Sequence, residues 1–327
     1  MSLMELLLRI FAQRTGWRSS HDLEPVYGQY TYISRDRVGM KKLLVNCGVW
    51  KSLLVVLLCG FLAGCTTSFT YNQLDWLIPW YVDGYVDLTR DQKKTLRDEL
   101  EPFLAWHRNE ELESYIEILD DIEAGIAAPL TAAHVLTWIE EIVAAAERTE
   151  LTMLYVGLQF GGTLSDAQIQ EFVDSLWERQ REYEEEFLRR TEEEYVSDNY
   201  DNLKDFLSKF TGRLSAAQKD LLREATTKLC RFDRPWLADS EDWLLELEPL
   251  LQRKPGWQSG VESAFLARKA NRSPEFRSCI DNNYAVISQA VADVLNQASE
   301  AQRNRLVREI EDYRVQFQRI IQSGGEN

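Results

Sequence analysis

Apolar residues recur at helical spacing along most of the chain. After Thr89 come Leu96, Leu100, Phe103 and Leu104, then Leu112, Tyr115, Ile116, Leu119 and Ile122. After Thr131 come Val135, Trp138, Ile139, Ile142, Val143 and Ala146, with Gly161-Gly162 as the stop. After Ser165 come Ile169, Phe172, Val173, Leu176, Tyr183 and Phe187. Leu203, Phe206, Leu207 and Phe210 run on to Gly212, and Leu221, Leu222, Ala225 and Leu229 follow Ser215. Steps of three and four place each set on one helical face. Pro102 is expected to kink or break the first run near Glu101, because it lacks an N–H and crowds the preceding turn. The charged stretch Glu178–Glu194 reads as the solvated flank of a helix. From Phe232 to Arg272 the pattern loosens around Pro235, Pro255 and Gly256, leaving a short helix near Trp243–Leu251. Ser273-Pro274-Glu275 opens another helix, proline being favourable at its first position. A last helix opens at Ser299 and carries Leu306, Ile310, Tyr313, Phe317 and Ile320. With almost no residues between them, these two are expected to form an antiparallel hairpin. No segment alternates with the period of a strand. The expected fold is all-α, with antiparallel helical hairpins forming an extended helical bundle.

One local pattern marks the helix starts: Leu, then Ser or Thr, then Gln three positions on. It occurs at Leu88-Thr89-x-x-Gln92, Leu164-Ser165-x-x-Gln168 and Leu214-Ser215-x-x-Gln218, with variants at Leu130-Thr131-x-x-His134 and Ala298-Ser299-x-x-Gln302. In a capping box the hydroxyl accepts from the third backbone N–H of the helix, and the Gln side chain reaches back to the N-cap amide. The leading Leu can staple onto the fourth helical residue, which is apolar only at Val135 and Ile169. Start-to-start spacings of 42, 34, 50 and 84 residues are too uneven for a strict solenoid.

The N-terminal region follows another logic. Met40-Lys41-Lys42 precedes an apolar stretch densest at Leu53–Leu62, which ends in Leu62-Ala63-Gly64-Cys65. A basic start, an apolar middle and small residues before a cleavage point form a signal peptide. The last four residues resemble the lipobox of bacterial lipoproteins. That resemblance implies cleavage before Cys65, acyl chains on it and, with Thr66 following, transfer to the outer membrane. The competing reading is a transmembrane anchor, but Lys51 interrupts a run already short of the roughly 20 residues a span needs. Residues 1–39 are then an upstream extension outside the mature protein, 40–64 the signal peptide, and 65–327 a single all-helical periplasmic domain tethered through 65–70. The expected location is the outer membrane, facing the periplasm. Tyr71, Trp76, Trp80, Tyr81 and Tyr85 follow this tether; packing on the helical core is the favoured reading, contact with the membrane interface the other.

Charge and chemistry narrow the function. The formal net charge is −16. Residues 1–64 hold eight of the Lys/Arg and four of the Asp/Glu, so the chain from Cys65 onward carries 29 against 49, a net charge of −20. That excludes nucleic acid as a partner and charge as the route to a bilayer. Cys230 and Cys279 remain after Cys47, Cys59 and Cys65 are accounted for; in an oxidising compartment they are a candidate disulfide, the other reading being two separate thiols. His107 and His134 lie alone, without a second ligand at zinc spacing, so neither a metal nor a cofactor is expected. No catalytic motif stands out. An alternative ligand or active site is Trp106-His107-Arg108.

Leu74-Asp75-Trp76-Leu77-Ile78-Pro79-Trp80-Tyr81, Leu88-Thr89-x-x-Gln92 and Leu104-Ala105-Trp106-His107-Arg108 resemble an uncharacterised proteobacterial lipoprotein family, domain of unknown function 6279. Ser273-Pro274-Glu275-Phe276-Arg277 and the helix from Ser299 to Phe317 extend the likeness. It implies a helical lipoprotein and brings no catalytic residues. The Leu-Thr-x-x-Gln starts also resemble the periplasmic chaperones and stress sensors related to Spy and CpxP, in which helical hairpins build a client cradle; Thr89, Gln92, Ser165, Gln168, Ser215 and Gln218 would be the counterparts. The expected protein is lipid-anchored and non-enzymatic, binding periplasmic protein partners in envelope maintenance or stress.

Overall fold

The computed structural model describes residues 71–324, so the lipobox, the signal peptide and the upstream segment lie outside the described residues. Two short helices would not cohere in water without a shared apolar face, and α1 (Leu74–Val82) accordingly packs on α2 (Arg90–Trp106). A π-helical turn (His107–Glu111) joins α2 directly to α3 (Leu112–Gly125). The run from Arg90 to Gly125 thus spans roughly 54 Å at 1.5 Å per residue. Helix α4 (Ala132–Gly161) turns back and packs along both α2 and α3. There follow α5 (Asp166–Leu188), α6 (Glu192–Thr211), α7 (Ala216–Thr226), α8 (Asp233–Leu250), α9 (Trp257–Asn271), α10 (Pro274–Asn296) and α11 (Glu300–Ser323). No strand occurs among the described residues, and the all-α expectation holds.

The apolar faces meet in three clusters. The largest joins α1, α2, the end of α4 and the start of α5 through Ile78, Leu96, Leu100, Phe103, Phe160, Leu164 and Val173. A second lies where α3 ends and α4, α10 and α11 approach, around Ile126, Leu130, Val135, Ala292, Leu306 and Ile310. The third unites α6, α7 and α10 through Leu207, Leu214, Leu222, Ala290 and Val294.

Four expectations need correction. Pro102 does not break α2, which continues to Trp106. Its ring is on the exposed side, so the Asp98 carbonyl that loses its helical partner faces water, while Leu100 and Phe103 on either side are buried in one core. The stretch Glu178–Glu194 is not one flank: α5 ends at Leu188 and a new helix starts at Glu192. Phe232–Arg272 is almost wholly helical, as α8 and α9. Pro235 sits in the first turn of α8, where its nitrogen owes no helical bond, and only the link through Gly256, at φ +85°, is irregular. Finally, α10 and α11 do not pair along their length. Helix α10 packs on α4 and α7, and α11 on α3 and α6. Sequence adjacency lost here to the larger apolar faces offered by other helices.

Candidate functional site

All five capping boxes form, at Thr89/Gln92, Thr131/His134, Ser165/Gln168, Ser215/Gln218 and Ser299/Gln302. A sixth, Thr191/Glu194, opens α6. Its signal was present in the sequence as Thr-x-x-Glu. The leading Leu88, Leu130, Leu164 and Leu214 are all buried. Leu130 shares a cluster with Val135, and Leu164 with Ile169, as a staple requires.

The glutamines do more than cap. Gln92 and Gln168 face each other across two helix starts and exchange amide hydrogen bonds at 2.9 and 2.8 Å. Gln168 also donates to the Asp87 carbonyl at 2.7 Å. Gln218 and Gln302 repeat the arrangement at 3.3 and 3.1 Å, with further donations to the carbonyls of Val294 and Arg213. The Thr131 start is held differently: Asn296 accepts from Leu130 N–H and donates to its carbonyl, both at 2.8 Å. Beside it lies a cavity of about 10 Å³, lined by Ile126, Thr211, Asn296 and Arg303 among others. That is room for about one water molecule.

The second polar cluster is built on the π turn. A π turn inserts an extra residue into a helix and re-aims the side chains around it. His107, Glu111 and Leu112 are all buried there. His107 Nδ1 meets the Tyr71 hydroxyl at 3.0 Å and Nε2 the Tyr115 hydroxyl at 3.3 Å. Tyr115 reaches Thr149 Oγ1 at 3.3 Å, and Thr149 donates to the Ala145 carbonyl at 3.1 Å. Because Thr149 spends its proton on that carbonyl, one direction satisfies the chain: Tyr71 donates to Nδ1, Nε2–H to Tyr115, and Tyr115 to Thr149. Burial pushes the His107 imidazole down to about 4, so it is neutral at pH 7. The Tyr71 and Tyr115 hydroxyls are pushed up by the same cause. Glu111 is held by both Nε (3.0 Å) and a terminal nitrogen (2.7 Å) of Arg148.

The alternative site residues are therefore brought together but turned to internal use. Trp106 packs against the largest core cluster. His107 is 7% exposed, with both nitrogens engaged. Arg108 lies over the Tyr71 ring, 5.4 Å from its centroid, and donates to Asn72 at 3.0 Å. Among the described residues, no group of His, Cys, Asp and Glu could hold a metal ion.

Cys230 and Cys279 form a disulfide with Cα atoms 5.4 Å apart, tying the segment after α7 to α10. Asn283 supports the same junction, accepting from Cys230 N–H at 2.8 Å and donating to its carbonyl at 2.9 Å. The aromatic block divides. Tyr85, just past α1, is buried and Tyr71 and Tyr81 are half-buried, whereas Trp76 and Trp80 are 50% and 60% exposed, so the expected packing of this strip on the core fails for the two tryptophans.

A model of the family of unknown function DUF6279 matches residues 84–277, more than half of the chain. The chain belongs to that family. The match takes in four of the anticipated capping starts, the π turn and Cys230 of the disulfide, while Cys279 lies two residues beyond it. The DUF6279 match also leaves out Leu74–Tyr81 and the helix from Ser299. No curated protein and no solved structure matches the chain.

Proposed function

We propose that this DUF6279 chain is a non-enzymatic helical protein of the periplasm, anchored to the outer membrane by acyl chains on Cys65, that binds protein partners in envelope maintenance or stress. One observation carries the non-enzymatic part: the polar side chains singled out by sequence, from the capping glutamines to His107, are consumed in joining helices to one another. What is left outward among the described residues is a helical surface that carries exposed Ile142, Tyr155, Phe206, Leu245 and Leu266 among charged side chains, and a protein partner would have to bind there. The lipobox and a net charge of −20 from Cys65 onward support the location and argue against nucleic acid. Two experiments test this. Palmitate should label the wild-type chain in cells and not Cys65→Ala. Crosslinking in cells should then recover envelope proteins. Labelling without any specific crosslinked partner would reject partner binding, and no labelling would reject the anchor.

The π turn favours a second reading, since such turns recur at functional sites: a ligand site at Trp106, His107 and Arg108. A small molecule that raises the melting temperature of the wild type, and not of His107→Gln, would replace the first reading with this one.

A further inference from the structure

We infer that α1 is a membrane-docking helix whose Trp76 and Trp80 insert into the interfacial zone of a zwitterionic bilayer. The inference rests on the reading of Cys65 as the lipid-bearing residue. Helix α1 has two sides. Leu74 and Ile78 are buried in the largest core cluster with Leu96 and Leu100, which fixes the orientation of the helix. Trp76 and Trp80, four residues apart and hence on one helical face, are left 50% and 60% exposed. Two large aromatic rings on one face of a firmly packed helix lose apolar surface to water unless something covers them, and indole favours the headgroup level of a bilayer.

The covalent structure says what lies nearby. Cys65 precedes Tyr71 by six residues, a span of at most about 20 Å fully extended. Acyl chains on Cys65 would hold Tyr71, three residues before α1, within that distance of the headgroups, so docking becomes an intramolecular event at high effective concentration. Asp75, immediately before Trp76, is exposed and the chain is acidic, so anionic lipid should bring no gain. No helix among the described residues is long and apolar enough to cross a membrane, and α1 would lie in the interface plane.

The test uses the chain from Cys65 to Asn327, which contains every packed helix described. With Cys230 and Cys279 bonded to each other, Cys65 is its one free thiol. It can be coupled to maleimide-bearing lipid in phosphatidylethanolamine/phosphatidylcholine vesicles, reproducing the tether whether or not cells acylate this residue. Tryptophan fluorescence should be quenched by lipid brominated near the headgroup. That quenching should fall to background in Trp76→Ala/Trp80→Ala. Leu245→Ala/Leu266→Ala, at exposed positions elsewhere, should leave it intact. Free chain carrying Cys65→Ser should bind the same vesicles at least about tenfold more tightly than its Trp76→Ala/Trp80→Ala counterpart, with no gain from phosphatidylglycerol. Absence of quenching in the coupled protein, quenching that survives the double substitution, or dimerisation without vesicles that depends on the same two residues would each overturn the inference. Failure of palmitate labelling in cells with quenching intact would reject the lipid anchor alone.

Discussion

Replacing Gln218 with alanine should be among the most damaging changes of a polar side chain in this protein. Gln218 is fully buried. Its Oε1 accepts from Ser215 N–H at 2.8 Å and from Gln302 Nε2 at 3.1 Å, and its Nε2 donates to the Val294 carbonyl at 3.1 Å. Val294 lies in the last turn of α10, where carbonyls have no helical partner, so Gln218 serves as the cap for the end of one helix and the start of another. Loss of half a capping box is worth about 1 kcal/mol, since Ser215 is exposed and water can reach its N–H. Stranding the Val294 carbonyl adds about 1–3 kcal/mol. The sum is about 3 kcal/mol, or a fall in melting temperature of roughly 6–12 °C for a chain of this size. Gln92→Ala is the matched control: it breaks the same motif at a half-exposed site, where the expected loss is about 1 kcal/mol. Urea unfolding followed by far-ultraviolet circular dichroism measures both. Equal losses for the two variants, or a loss below about 1 kcal/mol for Gln218→Ala, would refute the claim that the buried Val294 carbonyl depends on this glutamine.

Three other outcomes follow from the same structure. Cys230→Ser/Cys279→Ser opens a loop of 49 residues' separation and should lower stability by about 4 kcal/mol on the chain-entropy argument, seen as a reductant-sensitive melting temperature that the variant lacks. For His107, the folded value of about 4 lies below the unfolded value near 6.5 because burial disfavours the cation, so the unfolded state binds the extra proton between these limits. Its contribution, about 3 kcal/mol, should be complete above pH 6.5 and lost as pH falls toward 4; His107→Gln should flatten that part of the stability profile, and an unchanged profile would contradict a neutral buried imidazole. Arg148→Met strands the buried Glu111 carboxylate and should cost about 2 kcal/mol, less than for a fully buried pair because Arg148 is half exposed; Glu111→Gln/Arg148→Met should recover part of that loss in the same urea assay.

The helix starts were readable because a capping box is local: four residues suffice to state which hydrogen bonds will form. The same is true of the buried Leu before each box, whose partner cluster only had to be apolar. Features that depend on which helix meets which were not readable. The pairing of α10 with α4 and α7 depends on Ser288, Ala290, Ala292 and Val294 lying buried along one helix, and periodicity cannot say what will cover them. The π turn was hidden because the apolar residues on either side of it, Leu104 and Leu112, stand eight positions apart, close to two ordinary helical turns. Only the burial of His107 and Glu111 together betrays the extra residue. In the Phe232–Arg272 region, proline counted against helix where its position in a first turn made it harmless.

The glutamine pairs bear on what the Leu-(Ser/Thr)-x-x-Gln pattern can mean. In Gln218 each side-chain heteroatom has two partners, all within the protein: the N-cap amide, the last-turn carbonyl of another helix, and the opposing glutamine. Gln168 is engaged in the same way with Ser165, Asp87 and Gln92. A side chain so occupied has no hydrogen-bonding capacity left for a client, and its leading Leu is already in the core. The pattern is therefore a device for docking pairs of helix starts, and a likeness to helical chaperones through it alone speaks to how the helices are joined. Evidence for a partner must come from surfaces this device leaves free, of which the Trp76–Trp80 face of α1 is the one for which the proposed acylation of Cys65 names a neighbour, the bilayer.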